Sequence, residues 1–472
     1  LEREYAGQIS WATQTFQKTG ITGSTVALKV CVKSGDGISG IGGVDGPLEH
    51  YAIGAMQIAV TPPLPSRANA YYKINLVRFI CCYEVMQSKE TPNPSIDPLP
   101  GIHQITDPRD SYLVHYPLPE VLFLVVAASV SYCDKLTEMA VFGEEKLEWL
   151  RKYYPYKYGA PSHDTLGRVL SLIERRAFER WFMAWVAETF DLEANELINF
   201  DGKRLAGSAN KMDQSKKKDE GGKYAKLVVN AFAAGSGIVM GQCDVSSKLS
   251  EIKGAKQLLE DLSVEGCCIS GDANFCGRDF LELIIDKRAD YLMALKGKSP
   301  ILHQATQAAF ADKSVTKSVY VTEETGHGRE EKRTYRSMAV TALPLDVTAS
   351  YCRLSQLIEV TRERRITRKA TEPSLEVHYY ITSLNSPIED LASKVRGHWS
   401  IENRLHWTLD VTFGEDENRA RTANLASNCS LIRKMSINLH ADGPSKVGVK
   451  HKRMRAMWSD KTRDKVFSDS MR

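Results

Sequence analysis

The order of short apolar runs between residues 195 and 295 constrains the fold of this chain most strongly. ELINF is followed by YAKLVVNAFAAGSGIVMGQCDVS, a pattern that predicts one strand and then two strands around an AAGSG turn. SEIKGAKQLLEDL and FLELIIDKRA have the apolar spacing of amphipathic helices, and they alternate with the strands CCIS and DYLMALKG. Three strands in succession favour antiparallel pairing, and the later helices favour parallel crossovers. The sequence therefore predicts a mixed sheet with helices on its faces.

Helical and β-rich segments flank this stretch. Between residues 117 and 185, apolar positions recur at three- and four-residue steps, which predicts a small helical domain. Its PSHDT segment is typical of a capped helix start, although His163 and Asp164 could also form a catalytic pair. The residues from about 315 to 382 are mostly of β character, and SPIEDLASKVRGHWSIENRLHWTLDVTF after them predicts one long helix.

The composition excludes several classes of protein. The 472 residues are 43% hydrophobic and 25% charged, which is ordinary for a globular protein. Ten cysteines without a C-x-x-C pair indicate reduced thiols rather than a disulfide framework or a zinc ribbon. The most apolar run, VLFLVVAASV at 121–130, is too short to span a bilayer, and the N-terminus lacks a signal-peptide pattern. We therefore expect a cytoplasmic protein without a membrane partner.

Three carboxylates stand out by their positions. Asp201 closes the first predicted strand, Asp272 follows a later one, and Glu402 lies in the long helix. Carboxylates at the ends of neighbouring strands can converge, and three like charges together raise at least one pKa unless hard divalent cations offset them. Two such ions about 3.5–4 Å apart can clamp the attacking and leaving oxygens of a phosphodiester. Strand-end aspartates are also common turn formers, so the pattern alone leaves both interpretations open.

Ordered motifs surround these acids. FDGKRLAGS at 200–208, SGDANFC at 270–276 and RGHWSIENRLHWTLDVTFGEDENRAR at 396–421 carry them in turn. Four further motifs accompany them: GAPSHDTLGRV at 159–169, YLMALKGK at 291–298, GHGREEKR at 326–333 and VHYYITS at 377–383. Together the motifs resemble those of the ISAs-type insertion-sequence transposases, which include the H-repeat-associated proteins, over about residues 107–440. This family is a branch of the DDE transposases.

The resemblance implies a mixed α+β fold. Residues 106–192 would form a small helical domain, and residues 193–440 an RNase H-like catalytic domain with a β-rich insertion at about 300–385. Residues 441–472 would be a basic C-terminal tail, and residues 1–105, in which we identify no motif, remain unassigned.

The resemblance also implies an activity, DNA cleavage and strand transfer at the ends of an insertion sequence. Asp201, Asp272 and Glu402 would be the metal-binding catalytic triad and would hold Mg²⁺ or Mn²⁺, as two ions. The protein would act as a homodimer on DNA, in the nucleoid of a prokaryote.

Some positions depart from the family motifs. Ala206 stands where Arg is usual, Gly277 where Gln is usual, and Lys298 and Ser299 where Asn-Gln is usual. These departures keep open a catalytically degenerate or co-opted DNA-binding remnant. A metal-dependent nuclease without joining activity is a further alternative.

The net charge of only +4 does not by itself indicate a nucleic-acid partner, but it averages over local basic clusters. The hairpin at 362–369 is predicted to contact phosphates. Residues 216–218 are a solvated loop or a DNA contact, and 450–465 are a solvated end or a DNA-binding arm. The residues predicted to contact DNA or to orient the catalytic groups are His398, Trp399, Asn403, His406, Lys203, Lys296, Arg329, Arg362, Arg364, Arg365, Arg368 and Lys369.

The spacing of His398, Glu402 and His406 allows a different interpretation. Residues four apart share one face of a helix, so these three side chains could together bind a single zinc ion. A packed helix with two ordinary histidines is the other interpretation.

Overall fold

A computed structural model describes residues 10–13, 29–34, 49–53, 56–61, 97–191, 195–209, 225–245, 251–326, 328–366, 373–441 and 447–469. The chain divides into two units, Leu1–Thr91 and Pro92–Arg472. The first unit contains a four-stranded antiparallel sheet in the order β1-β2-β4-β3. Its strands are β1 (Ser10–Thr13), β2 (Lys29–Ser34), β3 (Glu49–Ile53) and β4 (Met56–Thr61).

The second unit is built on one sheet of nine strands, in the order β10-β11-β12-β13-β9-β8-β5-β6-β7. The strands are β5 (Leu197–Leu205), β6 (Lys226–Ala233), β7 (Val239–Val245), β8 (Cys268–Gly271), β9 (Asp290–Leu295), β10 (Ser318–Gly326), β11 (Arg329–Ala339), β12 (Gln356–Ile366) and β13 (Ser374–Thr382).

Five of these strands have the topology of an RNase H-like domain. β5, β6 and β7 form an antiparallel meander, and β8 and β9 join β5 in parallel, which gives the order β7-β6-β5-β8-β9. All described residues of β7 and β8 are buried, as is usual when helices cover both faces of a sheet. The predicted fold class is confirmed, including the antiparallel opening and the later parallel crossovers.

The four outer strands extend the same sheet. β13 pairs antiparallel with β9, so that Tyr379 lies opposite Leu295, and β12, β11 and β10 follow as antiparallel neighbours. The β-rich segment is therefore hydrogen-bonded directly to a strand of the RNase H-like sheet.

The helices cover the two faces. The α-helices are α1 (Leu118–Val130), α2 (Leu136–Glu145), α3 (Leu147–Leu150), α4 (His163–Leu172), α5 (Arg175–Thr189), α6 (Glu251–Asp261), α7 (Arg278–Asp286), α8 (Pro300–Ala311), α9 (Leu345–Thr348), α10 (Ile388–His398), α11 (Leu425–Ala441), α12 (Val449–Trp458) and α13 (Asp460–Asp469). Short 3₁₀ turns lie at Ile102–Gln104, Ser111–Leu113, Ala206–Ser208, Val340–Ala342 and Glu415–Glu417. π-helical turns lie at Ile401–His406 and Thr408–Thr412.

The helical segment before the sheet agrees with its sequence pattern. α1 is buried along almost its whole length because α2, α11 and α12 pack against it. Ser162 caps α4 by accepting a hydrogen bond from the backbone N–H of Thr165, which confirms the predicted helix start. Within the described ranges, no helix is both long and apolar enough to cross a membrane.

The C-terminal residues differ from their prediction. Residues 449–469 form α12 and α13, in which the side chains of Arg453 and Arg463 are fully buried. A solvated end is therefore wrong for these residues, because Arg453 and Arg463 pack against the helical segment instead of facing water. A contact between this region and DNA stays a prediction.

Candidate active site

One face of β5 meets the segment that follows α10. Side chains alternate along a strand, so Asn199, Asp201 and Lys203 point to the same side of the sheet. Oδ2 of Asp201 lies 3.6 Å from Nδ1 of His406, and Nζ of Lys203 lies 2.6 Å from Oδ1 of Asp410. Successive positions of the strand thus contact successive turns of the segment that carries Glu402.

Asp201 stands within a strand, not at its end. The sequence predicted that the strand closes at Asp201, and this is wrong because β6 pairs with β5 as far as Leu205. The parallel pairing between β5 and β8 does end there, since Phe200 opposite Gly271 is its last pair. Asp201, within β5, and Asp272, directly after β8, are the residues that follow this last pair.

A cavity of about 700 Å³ opens at this edge of the sheet. Asp201, Asp272 and Glu402 all line it, from β5, from the turn after β8 and from a π-helical turn. Other residues that line the cavity include Lys296, His303, Gln307, Tyr379, Tyr380, His398 and Trp399. Carboxylates from three separate elements therefore share one concave surface.

The acidic groups influence one another. Burial, together with the negative charges of Asp272 and Glu402, raises the pKa of Asp201 to about 7. The backbone N–H of Gly202, which donates to Oδ1 of Asp201 at 2.8 Å, opposes this effect. A nearby cation would favour the ionised form of Asp201.

The donor set has the chemistry of a magnesium or manganese site, because all three groups are carboxylates and such ions prefer oxygen ligands. The three carboxylates do not lie close together, however. Across the described part of the chain, no three His, Cys, Asp or Glu side chains are close enough to hold a metal ion. The two oxygens of Asp272 instead accept hydrogen bonds from the backbone N–H and the side-chain amide of Asn274, at 2.8 and 3.0 Å. The same finding gives no support to a zinc site on His398, Glu402 and His406.

The sequence predicted one continuous α-helix for the segment that carries Glu402, and this prediction is wrong. α10 ends at His398, and the chain continues in two wider π-helical turns. The side chain of Asn199 donates to the carbonyl oxygen of Gly397 at 2.9 Å, so a polar side chain from the sheet enters the hydrogen-bond ladder where α10 ends. Such wide turns often occur at functional sites. Here Glu402 is exposed at the cavity, while His406 reaches Asp201.

The residues predicted to contact DNA fall into different environments. Lys203 is buried in its ion pair with Asp410, so its charge is already balanced inside the protein. Lys296 and Asn403 are exposed, and Lys296 lines the cavity. Arg368, Lys369 and residues 216–218 lie outside the described residues.

The hairpin arginines are mostly paired with acids. Arg329 and Arg364 lie 3.4 and 3.8 Å from Glu331, and Arg362 lies 2.7 Å from Glu376. Arg365 is exposed near the end of β12.

Sequence reasoning missed three polar residues near the cavity: Asn199 and Ser270, which are buried, and Ser400, which is half-buried. Asn199 and Ser270 are fully buried within short apolar runs, each two residues before an aspartate of the cavity. A polar side chain at that spacing lies on the same face of the strand as the aspartate. This spacing is the signal that could have identified them.

Two family models match the sequence of this chain. Residues 101–186 match the family model described as DDE_Tnp_1-associated, and residues 195–439 match the one described as "Transposase DDE domain". "Putative transposase YncI" of Escherichia coli O157:H7 is 36% identical over 356 residues, which are 75% of this chain and 89% of that protein. "H repeat-associated putative transposase YhhI" of Escherichia coli K12 is 33% identical over 357 residues, 75% of this chain and 92% of that protein.

Among solved structures, a piggyBac transposase synaptic complex with hairpin DNA aligns with a TM-score of 0.39 and 10% identity, over 77% of this chain and 75% of that one. The family assignment rests on the sequence matches, which extend over both the helical segment and the nine-stranded sheet. The chain therefore belongs to the DDE transposase family, in the branch of the H-repeat-associated proteins that its motifs resemble.

Proposed function

We propose that this protein is the transposase of an insertion sequence, which binds the ends of its element and catalyses metal-dependent DNA cleavage and strand transfer. One observation supports this most strongly: Asp201, Asp272 and Glu402 line a single cavity although they come from three separate elements. Three carboxylates so placed in a DDE transposase suit the binding of divalent cations.

The three carboxylates would hold Mg²⁺ or Mn²⁺, as two ions. When bound, such ions stabilise the charge that develops on the attacking and leaving oxygens of a phosphodiester. Asp201 lies within β5 and Asp272 directly after its paired strand β8, whereas Glu402 is exposed on a π-helical turn. Water would be the first nucleophile and the freed 3′-hydroxyl the second, with no covalent enzyme intermediate.

The surroundings of the cavity suit a nucleic acid. Lys296 is an exposed cation on its wall, where it can contact a phosphate near the scissile bond. Trp399 presents an aromatic ring to the same space, and Asn403 is exposed beside Glu402. We include His406 and the arginines at 329 and 362–365 in the proposed DNA-binding or orienting set. The partner would be DNA, with a homodimer pairing the two element ends.

The test is cleavage of element-end DNA by purified protein in Mg²⁺. Asp201→Asn and Glu402→Gln should each abolish nicking and joining, while Glu389→Gln, an exposed carboxylate of α10, should leave both intact. Thermal melting of all variants separates lost chemistry from lost folding. Nicking at the wild-type rate in both active-site variants would overturn the assignment.

A catalytically degenerate DNA-binding remnant is the second candidate. A second cavity, of about 340 Å³, is lined by three of the residues that depart from the family motifs: Gly277, Lys298 and Ser299. A relative named "Inactive transposase YbfQ", from Escherichia coli K12, is 34% identical over 65 residues, 14% of this chain and 77% of that protein. Salt-sensitive DNA binding without cleavage would favour the remnant. Hydrolysed ends without joined products would favour a nuclease instead.

A further inference from the structure

A buried hydrogen-bond network connects the two aspartate strands to the end of α10. Asn199 of β5 and Ser270 of β8 lie opposite each other in the sheet, and both side chains are fully buried. Ser270 is hydrogen-bonded to Asn199 on one side, at 2.6 Å, and to Nδ1 of His398 on the other, at 2.9 Å. Each strand residue stands two positions before an aspartate of the cavity.

The carbonyl oxygen of Gly397, at one end of this network, fixes the orientation of the Asn199 side-chain amide. Nδ2 of Asn199 lies 2.9 Å from the carbonyl oxygen of Gly397 and 2.9 Å from Oγ of Ser400. A carbonyl oxygen only accepts hydrogen bonds, so the nitrogen of the amide must face Gly397. Oδ1 of Asn199 then faces Ser270 and must accept the single hydroxyl proton that Ser270 has.

The proton on His398 follows from that arrangement. Because the hydroxyl proton of Ser270 points to Asn199, Nδ1 of His398 must itself carry a proton and donate it to Oγ of Ser270. Burial, and next to it the charge of Lys296, lowers the pKa of His398 to about 4. The ring is therefore neutral at pH 7, and its lone pair is on Nε2.

We infer that Asn199 and Ser270 hold His398 in its Nδ1–H tautomer, so that Nε2 offers the catalytic cavity an uncharged acceptor for the hydroxyl that attacks DNA. Phosphate oxygens only accept hydrogen bonds, so an acceptor in this cavity cannot serve to bind them. The donors available at a scissile phosphodiester are water and the 3′-hydroxyl. Asn199 and Ser270 are thus positioning residues, and His398 orients the nucleophile without taking its proton.

The tautomer can be tested on the full chain without DNA or metal. In protein labelled with ¹⁵N at the histidine rings, the resonances of His398 are identified by their loss in His398→Asn. We expect the shifts of a neutral ring protonated at Nδ1, and a change toward the Nε2–H form in Ser270→Ala. Wild-type protein with His398 protonated at Nε2 would overturn the inference, whatever the protein's activity.

The orienting role rests on the proposed function and is tested in the cleavage assay. Ser270→Ala should lower kcat about a hundredfold with KM for DNA unchanged, as expected for a small misplacement of a reacting group. Ser270→Thr, which keeps the hydroxyl, should recover most of that loss. His398→Asn keeps a donor toward Ser270 and lacks the acceptor at Nε2, so it should be as slow as Ser270→Ala.

The outcomes separate the two proposals. His398→Asn protein that folds and cleaves at the wild-type rate would overturn the orienting role while leaving the transposase assignment intact. If wild-type protein itself does not cleave, the proposed function and the orienting role both fail. The tautomer of His398 is then tested only by the ¹⁵N chemical shifts of its ring.

Discussion

Two segments of this protein are both rich in basic residues, but their arginines have opposite environments. The hairpin arginines near the end of β12 lie at the surface beside acids, as with Arg362, 2.7 Å from Glu376. In the C-terminal helices, Arg453 and Arg463 have no exposed surface at all. From charge alone, the hairpin was predicted to contact DNA, and the C-terminal segment was predicted to be either a solvated end or a DNA-binding arm. The comparison shows that the groups facing an arginine decide its role, and those groups are distant in sequence.

Arg453 joins three parts of the fold. Its guanidinium donates to the carbonyl oxygens of Ser129, at the end of α1, and of Thr412, and it pairs with Asp134 at 2.5 Å. It also lies 3.7 Å from the centre of the Phe413 ring, a favourable contact between a cation and an aromatic face. Thr412 ends the second of the two π-helical turns, and Glu402 lies in the first, so the Arg453 side chain connects the candidate active site to the helical segment.

The hairpin pairs are weaker by comparison. The side chains of Arg362 and Glu376 are both partly exposed, and such surface pairs contribute about 0–1 kcal/mol. Arg365 is exposed. This segment therefore has cations that can exchange their present neighbours for phosphates at little energetic cost.

The largest effect is expected for Arg453→Met, which leaves Asp134 and two carbonyl oxygens without their donor. The free energy of unfolding should fall by about 3–5 kcal/mol, the range for breaking a buried ion pair. Urea unfolding followed by circular dichroism measures it. Arg455→Met, an exposed arginine of the same helix, should change stability by less than about 0.5 kcal/mol. Equal losses of stability in Arg453→Met and Arg455→Met would contradict the contrast between buried and exposed arginines.

A pH-dependent effect of intermediate size is expected at His440, where α11 packs against α1. Its Nε2 lies 3.1 Å from the carbonyl oxygen of Val130, and burial lowers its pKa from 6.5 to about 4. The unfolded chain takes up this proton at a higher pH than the folded protein does. Stability is therefore fully present above pH 6.5 and falls as the pH drops to about 4, by about 3 kcal/mol at 1.36 kcal/mol per pKa unit.

His440→Gln removes the titrating group and keeps an N–H donor for Val130. Unfolding curves between pH 7 and 4 should show a shallower loss of stability in this variant than in wild-type protein. His451→Gln, at an exposed position of α12, should retain the wild-type slope. An unchanged slope in His440→Gln would show that His440 does not stay neutral in the folded protein.

The smallest effect on stability, and the one that concerns DNA directly, is expected for Arg365→Ala. Stability should stay within about 0.5 kcal/mol of wild type. If Arg365 neutralises a phosphate, the log–log dependence of DNA affinity on salt should become shallower by about one unit. Arg151→Ala, at an exposed position outside the segments predicted to contact DNA, should leave that slope unchanged. Identical slopes for Arg365→Ala and wild type would remove the hairpin from the DNA interface.

The sequence was most informative where local periodicity decides structure. The order of strands from residue 195 to 295 and the capped start at Ser162 could be predicted, because both depend on neighbouring residues. The end of β5 could not, since β6 supplies the pairing that carries it past Asp201. The break in the helix before Glu402 could not either, because Asn199 and Gly397 are almost 200 residues apart in sequence.

Some residues of the candidate site could be predicted from the sequence, and others could not. The three acids could be identified from the motif resemblance, and in the structure they line one cavity. Charge alone could not distinguish Lys203, which is committed to Asp410, from Lys296, which faces the cavity. The positions that fix His398 are polar residues in apolar strands, and only the paired register shows that they meet.

The contact made by Arg453 has a consequence for how such genes decay. The family match ends at residue 439, whereas Arg453 lies beyond it and is buried against Ser129 and Thr412. A stop codon shortly after codon 445 would leave every motif and all three acids in the reading frame. The encoded protein would nevertheless lose the anchor of the segment that carries Glu402. Under the proposed function, such a truncated copy would be inactive although its recognisable sequence remains intact.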